Sequence, residues 1–473
     1  MFVNRVAELD LLEKRFASGK AELFVLYGRR RVGKTELLSH FCQGKRAIFF
    51  VSDLGSEISL RAGLSNAVNA VLFGSAQMNA VYASWEDLFR AVGQAAQSER
   101  LVVVLDEFPY LLSAHPPLAS ILQRVWDHAL KDSQVMFILC GSYIGMMEAA
   151  VLGYQAPLYG RRTGQYLLEP LQFCDARLLF PNFNLDDQVR AYAVYGGTPA
   201  YLQTLQAWSS LAQNIQDGIL TRGSFLYDEV RFVLQQELRE PRNYFAILEA
   251  IAAGKTRLNE IKQATGIDGA TAYLDTLQHL QLVERRVPVT ETQPHKSRRG
   301  IYRLKDHYLR FWFRYVHPYR SQLERGGAQV ILVNQVLPQL DLFTGMAFEE
   351  VCRQFLWSRG LSGGLSFAPV NIGNWWNANE EIDLLVLGDA DAMLVECKWG
   401  SKPVGSDILA NLERKSCLVR AELGGRQVCY SLCSRSGFTS QLMQDVQQRG
   451  DVMLFDLPAI THPHPAGEQE RLT

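Results

Sequence analysis

Gly28-Arg29-Arg30-Arg31-Val32-Gly33-Lys34-Thr35 follows the spacing G-x-x-x-x-G-K-T, and the chemistry of that spacing is phosphate binding. A glycine-containing turn that opens a helix aims backbone N–H groups and the positive helix end at one point. Gly28 and Gly33 shape the turn, Lys34 reaches the β- and γ-phosphates of ATP, and the Thr35 hydroxyl holds Mg2+. Glu36 opens the helix and is counted with this nucleotide-binding set. Downstream, the apolar run 101–105 ends in Asp106-Glu107. Asp106 is placed to order the metal shell beside Thr35, and Glu107 to polarise an attacking water. Ser142 follows a second apolar run, 135–140, where a polar side chain can touch the γ-phosphate. Arg161 and Arg162 either stabilise transition-state charge, in cis or from a neighbouring subunit, or form a surface salt-bridged pair.

A second set of reactive residues lies near the C-terminus. Residues 381–387 and 392–399 are apolar runs separated by Gly388-Asp389-Ala390-Asp391. A two-residue loop at Asp389-Ala390 makes them a hairpin whose paired residue numbers sum to 779, which sets Asp383 opposite Glu396 and Glu381 opposite Lys398. Two facing carboxylates on an apolar hairpin repel each other and lose hydration. A divalent cation, Mg2+ or Mn2+, relieves both costs, with the Cys397 carbonyl as a further oxygen ligand. Lys398 then steadies developing negative charge or helps to activate water, the logic of a one- or two-metal phosphodiesterase. The competing reading is an ordinary hairpin with an exposed Glu381–Lys398 pair.

Strand-type runs at 23–27, 47–51, 101–105 and 135–140 alternate with amphipathic stretches, which predicts a parallel sheet with crossover helices over 1–165. Residues 166–235 read as a helical lid broken at Gly196-Gly197-Thr198-Pro199. Within 236–320, three short helical patterns (244–253, 258–264, 270–282) precede two strand-like pieces, 283–289 and 300–304, the order of a winged helix. A linker helix at 321–340 leads to a second α/β domain at 341–460, with strands near 382–387, 392–399 and 427–432, and a polar tail from 461 to 473 reads as flexible.

The opening Phe2-Val3-Asn4-Arg5, the G-R-R-R-V-G-K-T loop, the Leu105-Asp106-Glu107 strand end, Pro157-Leu158-Tyr159-Gly160-Arg161-Arg162 and Gly196-Gly197-Thr198-Pro199-Ala200-Tyr201-Leu202 together resemble the archaeal-type ATPases, in the STAND branch of the AAA-like P-loop NTPases. The resemblance covers about residues 1–320. It implies a nucleotide-controlled switch built of core, lid and winged helix, with Asn4, Arg5 and Pro199 near the adenine. Residues 341–460 resemble the PD-(D/E)xK nuclease superfamily and the domain that commonly follows archaeal-type ATPases. That resemblance implies a restriction-endonuclease-like α/β fold and a further acid from a preceding helix, Glu349 or Glu350, with Glu349 favoured.

Bulk composition narrows the alternatives. The 473 residues carry a formal net charge of −1, so any nucleic-acid contact needs a local patch. Residues 285–325 offer one, with eleven Lys/Arg against three acids, interleaved with Tyr302, Tyr308, Phe311, Trp312, Phe313 and Tyr315. Aromatics at helical spacing read more readily as core than as stacking platforms. The helix at 270–282 has no Lys or Arg, which argues against base reading. Eight scattered cysteines without a C-x-x-C pair point to a cytoplasmic protein without a zinc site. No uninterrupted apolar run reaches about 18 residues, so no membrane span is expected. A homo-oligomer is compatible with arginines acting in trans. The combined expectation is an ATPase switch controlling a nuclease-like, DNA-processing domain. The alternative is an ATP-dependent scaffold whose C-terminal domain binds DNA or a protein without cleaving.

Overall fold

A computed structural model describes residues 3–74, 80–238 and 241–462. Of the tail at 461–473, residues 463–473 lie outside the described residues. The chain divides into two compact units, Met1–Pro170 and Leu171–Thr473.

The first unit is built on a five-stranded sheet of order β2-β3-β4-β1-β5. Its strands are β1 (Glu22–Tyr27), β2 (Ala47–Val51), β3 (Leu101–Asp106), β4 (Val135–Gly141) and β5 (Gly164–Leu167). All pairings are parallel. β1, β3 and β4 are buried along nearly their whole length, as strands covered on both faces must be. Period-two alternation divides their side chains between two cores: Leu23, Val25, Val103 and Leu105 pack on one face, Phe24, Leu26, Val102 and Val104 on the other. The short, half-buried β5 has no distinctive run in sequence, and no strand is expected there.

The second unit contains three helices, Pro241–Ala252, Leu258–Thr265 and Ala270–His279, then an antiparallel pair, β6 (Val283–Arg286) and β7 (Ile301–Leu304). Next comes the long helix Leu340–Leu361, then a mixed sheet of order β12-β11-β10-β9-β8. Its strands are β8 (Asn371–Trp376), β9 (Glu381–Leu387), β10 (Asp391–Lys398), β11 (Gln427–Ser434) and β12 (Val452–Asp456). β8, β9 and β10 run antiparallel, whereas β10, β11 and β12 are parallel. The helix Ser406–Val419 covers one face through Leu409, Leu412 and Val419.

Residues 328–361 form a helical run long and apolar enough to cross a membrane by length and composition alone. Its Leu340–Leu361 part buries Phe343, Ala347, Phe348, Val351 and Phe355, the pattern of a helix that packs within its own unit.

Candidate functional site

The first site forms where β1, β3 and β4 of the first unit end. Gly28 has φ +154°, and a Cβ there would lie 2.4 Å from the Leu168 carbonyl oxygen, so the loop follows a path that only glycine allows. Gly33, at φ 94°, caps the helix Lys34–Cys42. Lys34 is buried and its Nζ donates to the Gly28 and Arg29 carbonyls at 2.8 and 2.9 Å, which folds the ammonium back over the loop. Thr35 Oγ1 donates to Asp106 Oδ2 at 2.5 Å, joining the loop to the end of β3. Glu107 N–H donates to Asp106 Oδ1 at 2.9 Å, fixing the carboxylate plane. Glu107 has positive φ, 52°, and Ser142 Oγ lies 2.9 and 2.8 Å from its two carboxylate oxygens. Lys34, Thr35, Asp106, Glu107 and Ser142, distant in sequence, thus form one connected cluster. Glu36 is exposed in the first helical turn.

Arg5 braces the loop. Its Nη2 donates to the Val32 carbonyl at 3.0 Å and to the Glu169 carbonyl at 2.8 Å, while Nη1 pairs with Glu8 at 2.9 Å. Asn4 and Arg5 both have positive φ, 51° and 66°. Pro199 occupies the first turn of the helix Pro199–Leu202 in the second unit.

Arg161 and Arg162 have separate partners in the first unit. Arg161 makes a two-pronged bond to Asp127, 3.2 Å from Nε to Oδ1 and 3.0 Å from Nη2 to Oδ2. Arg162 donates to the Leu152 carbonyl at 2.7 Å and lies over the Tyr159 ring. The planar Asp127 carboxylate matches the guanidinium fork of Arg161.

The second site lies wholly within the second unit. Ala392 pairs with Leu387, Met393 with Val386, Leu394 with Leu385 and Val395 with Leu384, the register whose numbers sum to 779. Past that point the Asp383 side chain replaces part of the ladder, with Cys397 N–H donating to Asp383 Oδ2 at 2.8 Å. Burial and then the Glu396 charge push the Asp383 carboxyl up to about 6. Glu349 is pushed up to about 7 by burial and by the Asp383 charge, which brings the long helix into the site. Glu350 instead bonds Arg353 at 2.5 Å and Gln354 at 2.9 Å, so of the two helix acids Glu349 is the one on which the Asp383 charge acts. Lys398 pairs with Glu396 Oε1 at 2.6 Å, in place of the pairing with Glu381 that strand alternation suggested. Burial acts to lower the Lys398 ammonium, but the bond to Glu396 outweighs it and the value is raised.

Three features were missed in the sequence. Lys415, buried on the helix Ser406–Val419, pairs with Glu396 Oε2 at 3.2 Å. Its signal was a lysine within an apolar stripe that includes Leu409, Leu412 and Val419. Part of the basic stretch at 285–325 turns inward, while Lys296, Arg298, Lys305, Arg314 and Arg325 are exposed. The Arg303 and Arg286 charges act on Glu349, Arg286 also bonds Asn374 at 3.2 Å, and Arg299 bonds Glu422 and the Trp376 carbonyl. Tyr302, Tyr308, Phe311, Trp312, Phe313 and Tyr315 are buried, as their helical spacing suggested. Finally, Cys352, Cys397 and Cys433 converge, which the absence of a C-x-x-C pair had argued against.

The family described as an ATPase domain predominantly from Archaea matches residues 2–205. A family of archaeal and bacterial proteins of unknown function matches residues 312–413. The uncharacterized protein MJECL04 of Methanocaldococcus jannaschii is 33% identical over 465 residues, covering 97% of this chain and 99% of its own. A shorter relative from the same organism, the uncharacterized ATP-binding protein MJ0423, is 54% identical over 46 residues, 10% of this chain and 78% of its own. Among solved structures, the Walker-type ATPase PABY2304 of Pyrococcus abyssi aligns at 20% identity and TM-score 0.47, covering 66% of this chain and 96% of its own. The ORC2 protein of Aeropyrum pernix aligns at 16% identity and TM-score 0.41, covering 69% and 96%.

Proposed function

The chain belongs to the family of the M. jannaschii protein MJECL04 and carries an archaeal-type ATPase domain, and from that premise we propose that ATP hydrolysis in the first unit controls a metal-dependent, nuclease-like site in the second. On this reading the loop 28–35 binds the triphosphate, Thr35 and Asp106 hold Mg2+, and Glu107, held by Ser142, activates water. The STAND-type lid at 166–235 and the winged helix at 236–320 are the moving parts.

The observation that carries the nuclease half is electrostatic: the Asp383 charge acts on Glu349, the Glu396 charge acts on Asp383, and Lys398 pairs with Glu396. Burial is the main cause of the raised Asp383 and Glu349 values and a neighbouring acid adds to it, so a hard divalent cation such as Mg2+ or Mn2+ would offset part of the cost of ionising them. Glu349, Asp383 and Glu396 would hold it, with the Cys397 backbone adjacent. The ion supplies Lewis-acid activation of water and of a phosphodiester. Lys398 would balance the negative charge that builds on the phosphoryl oxygens as water adds and the ester oxygen departs.

One observation favours the scaffold alternative. Lys398 and Lys415 already neutralise Glu396, and Arg286 and Arg303 act on Glu349, so the carboxylates have cationic partners without an ion. Incubating the full chain with DNA, Mg2+ or Mn2+, and ATP separates the two readings. Cleavage by wild type that is lost in Lys398→Ala supports the nuclease. Intact DNA in both, with binding retained, supports the scaffold.

A further inference from the structure

Cys352, Cys397 and Cys433 lie far apart in the chain, yet their Sγ atoms all fall within 4.8 Å of one another. Each comes from a different element. Cys352 belongs to the helix Leu340–Leu361, and Cys397 and Cys433 are direct partners on the parallel strands β10 and β11. All three are buried. Among the described residues this is the one group of three or more His, Cys, Asp or Glu side chains with such spacing, and it includes no fourth ligand.

We propose that this cluster binds one soft metal ion with a filled d shell, Zn2+ or Cu(I), through its three thiolates. Thiolates select that class over the hard cations suited to the neighbouring carboxylates. The geometry is close to what is needed. With Zn–S bonds of about 2.3 Å, the sulfurs of a tetrahedral site lie about 3.8 Å apart. A cluster with no separation above 4.8 Å therefore closes by about 1 Å or less at its widest, within reach of small side-chain rotations. A three-sulfur set also suits trigonal Cu(I), and the two ions share the same thiolate chemistry.

Position gives the ion a structural consequence. Cys352 stands three residues after Glu349, about one helical turn along the same helix. Cys397 lies between Glu396 and Lys398 in β10, and strand alternation points its side chain to the opposite face. A bound ion would pin helix to sheet from behind the carboxylate site. The proposal stands whether or not that site cuts DNA.

The test uses the full-length protein, reduced and chelator-treated under anaerobic conditions. It is titrated with Cd2+ as a spectroscopic stand-in for Zn2+ and, separately, with buffered Cu(I). The expected result with at least one ion is an ultraviolet sulfur-to-metal charge-transfer band that saturates at one ion per chain. The band is lost in Cys352→Ala, Cys397→Ala and Cys433→Ala and kept in Cys417→Ser, which alters an exposed thiol. Where an alanine variant does not fold, alkylation mapped by mass spectrometry on wild type answers the same question: the ion should protect Cys352, Cys397 and Cys433 and no other cysteine. Absence of the band with both ions, or protection of a different set of thiols, overturns the proposal.

Discussion

Ser142 Oγ lies 2.9 and 2.8 Å from the two carboxylate oxygens of Glu107, tying the end of β4 to the residue that follows β3. Both residues sit at carboxyl ends of parallel strands, where an α/β sheet presents its ligand crevice. Glu107→Gln should retain nucleotide binding and slow hydrolysis about 10²–10⁴-fold, the usual range for a lost general base. Ser142→Ala removes one hydrogen bond to a charged group and should slow turnover about tenfold or more. Steady-state phosphate release alongside binding of a fluorescent ATP analogue checks both; equal turnover in Glu107→Gln and wild type removes the water-activating role.

Lys34 Nζ is satisfied by the loop's own carbonyls, so the loop is preshaped around the ammonium. Lys34→Ala should therefore lose nucleotide binding and also loosen residues 28–35. Gly28→Ala places a methyl 2.4 Å from the Leu168 oxygen and should destabilise the first unit by about 1–3 kcal/mol. Thermal melts with and without ATP separate the effects, since ATP should raise the Tm of wild type only.

Glu396 is held by Lys398 and Lys415 at opposite oxygens. Lys415→Met keeps volume but removes the deeper partner, and should cost about 2–3 kcal/mol by urea unfolding. Millimolar Mn2+ should recover part of that loss, and failure to do so would argue that no cation replaces the lysine charge.

The pH dependence of the acidic site has a defined sign. Asp383, at about 6, titrates well above an ordinary aspartate. Between about pH 4 and 6 the folded chain holds a proton that the unfolded chain has lost, so this group's contribution falls as pH rises through that window. Relative to Asp383→Asn, wild type should lose stability from pH 4 to 6. Divalent affinity should move the opposite way and rise with pH through about 6–7, because Asp383 and Glu349 must release protons to bind. Isothermal titration with Mn2+ at pH 5.5 and 7.5 checks this, and equal affinities would exclude these two carboxyls as ligands.

Strand β1, the loop 28–35 and the hairpin register were legible because each rests on neighbours in sequence. A buried strand announces itself by an apolar run, and a two-residue turn sets the pairs next to it, here Ala392–Leu387 to Val395–Leu384. β5 and β8 were not legible. β5 is short and half-buried, and β8, Asn-Ile-Gly-Asn-Trp-Trp, mixes polar residues with a register shift between Gly373 and Trp375. The inward partners of part of the basic stretch were not legible for a related reason. Charge density counts arginines but does not say where they point, and Arg286, Arg299 and Arg303 are spent inside the second unit.

By itself, the sequence determined what local spacing can determine: a phosphate-binding loop between strand and helix, carboxylates at strand ends, and the register of the hairpin from Leu384 to Val395. Tertiary structure alone decided which distant groups share a site. It added Lys415 to Glu396, gave Arg161 to Asp127 and gathered Cys352, Cys397 and Cys433. The division follows from the forces involved. Turn and ladder geometry act over a few residues, whereas the pairing of buried charges and thiols is fixed only when packing brings a helix and separate strands together and removes water from between them.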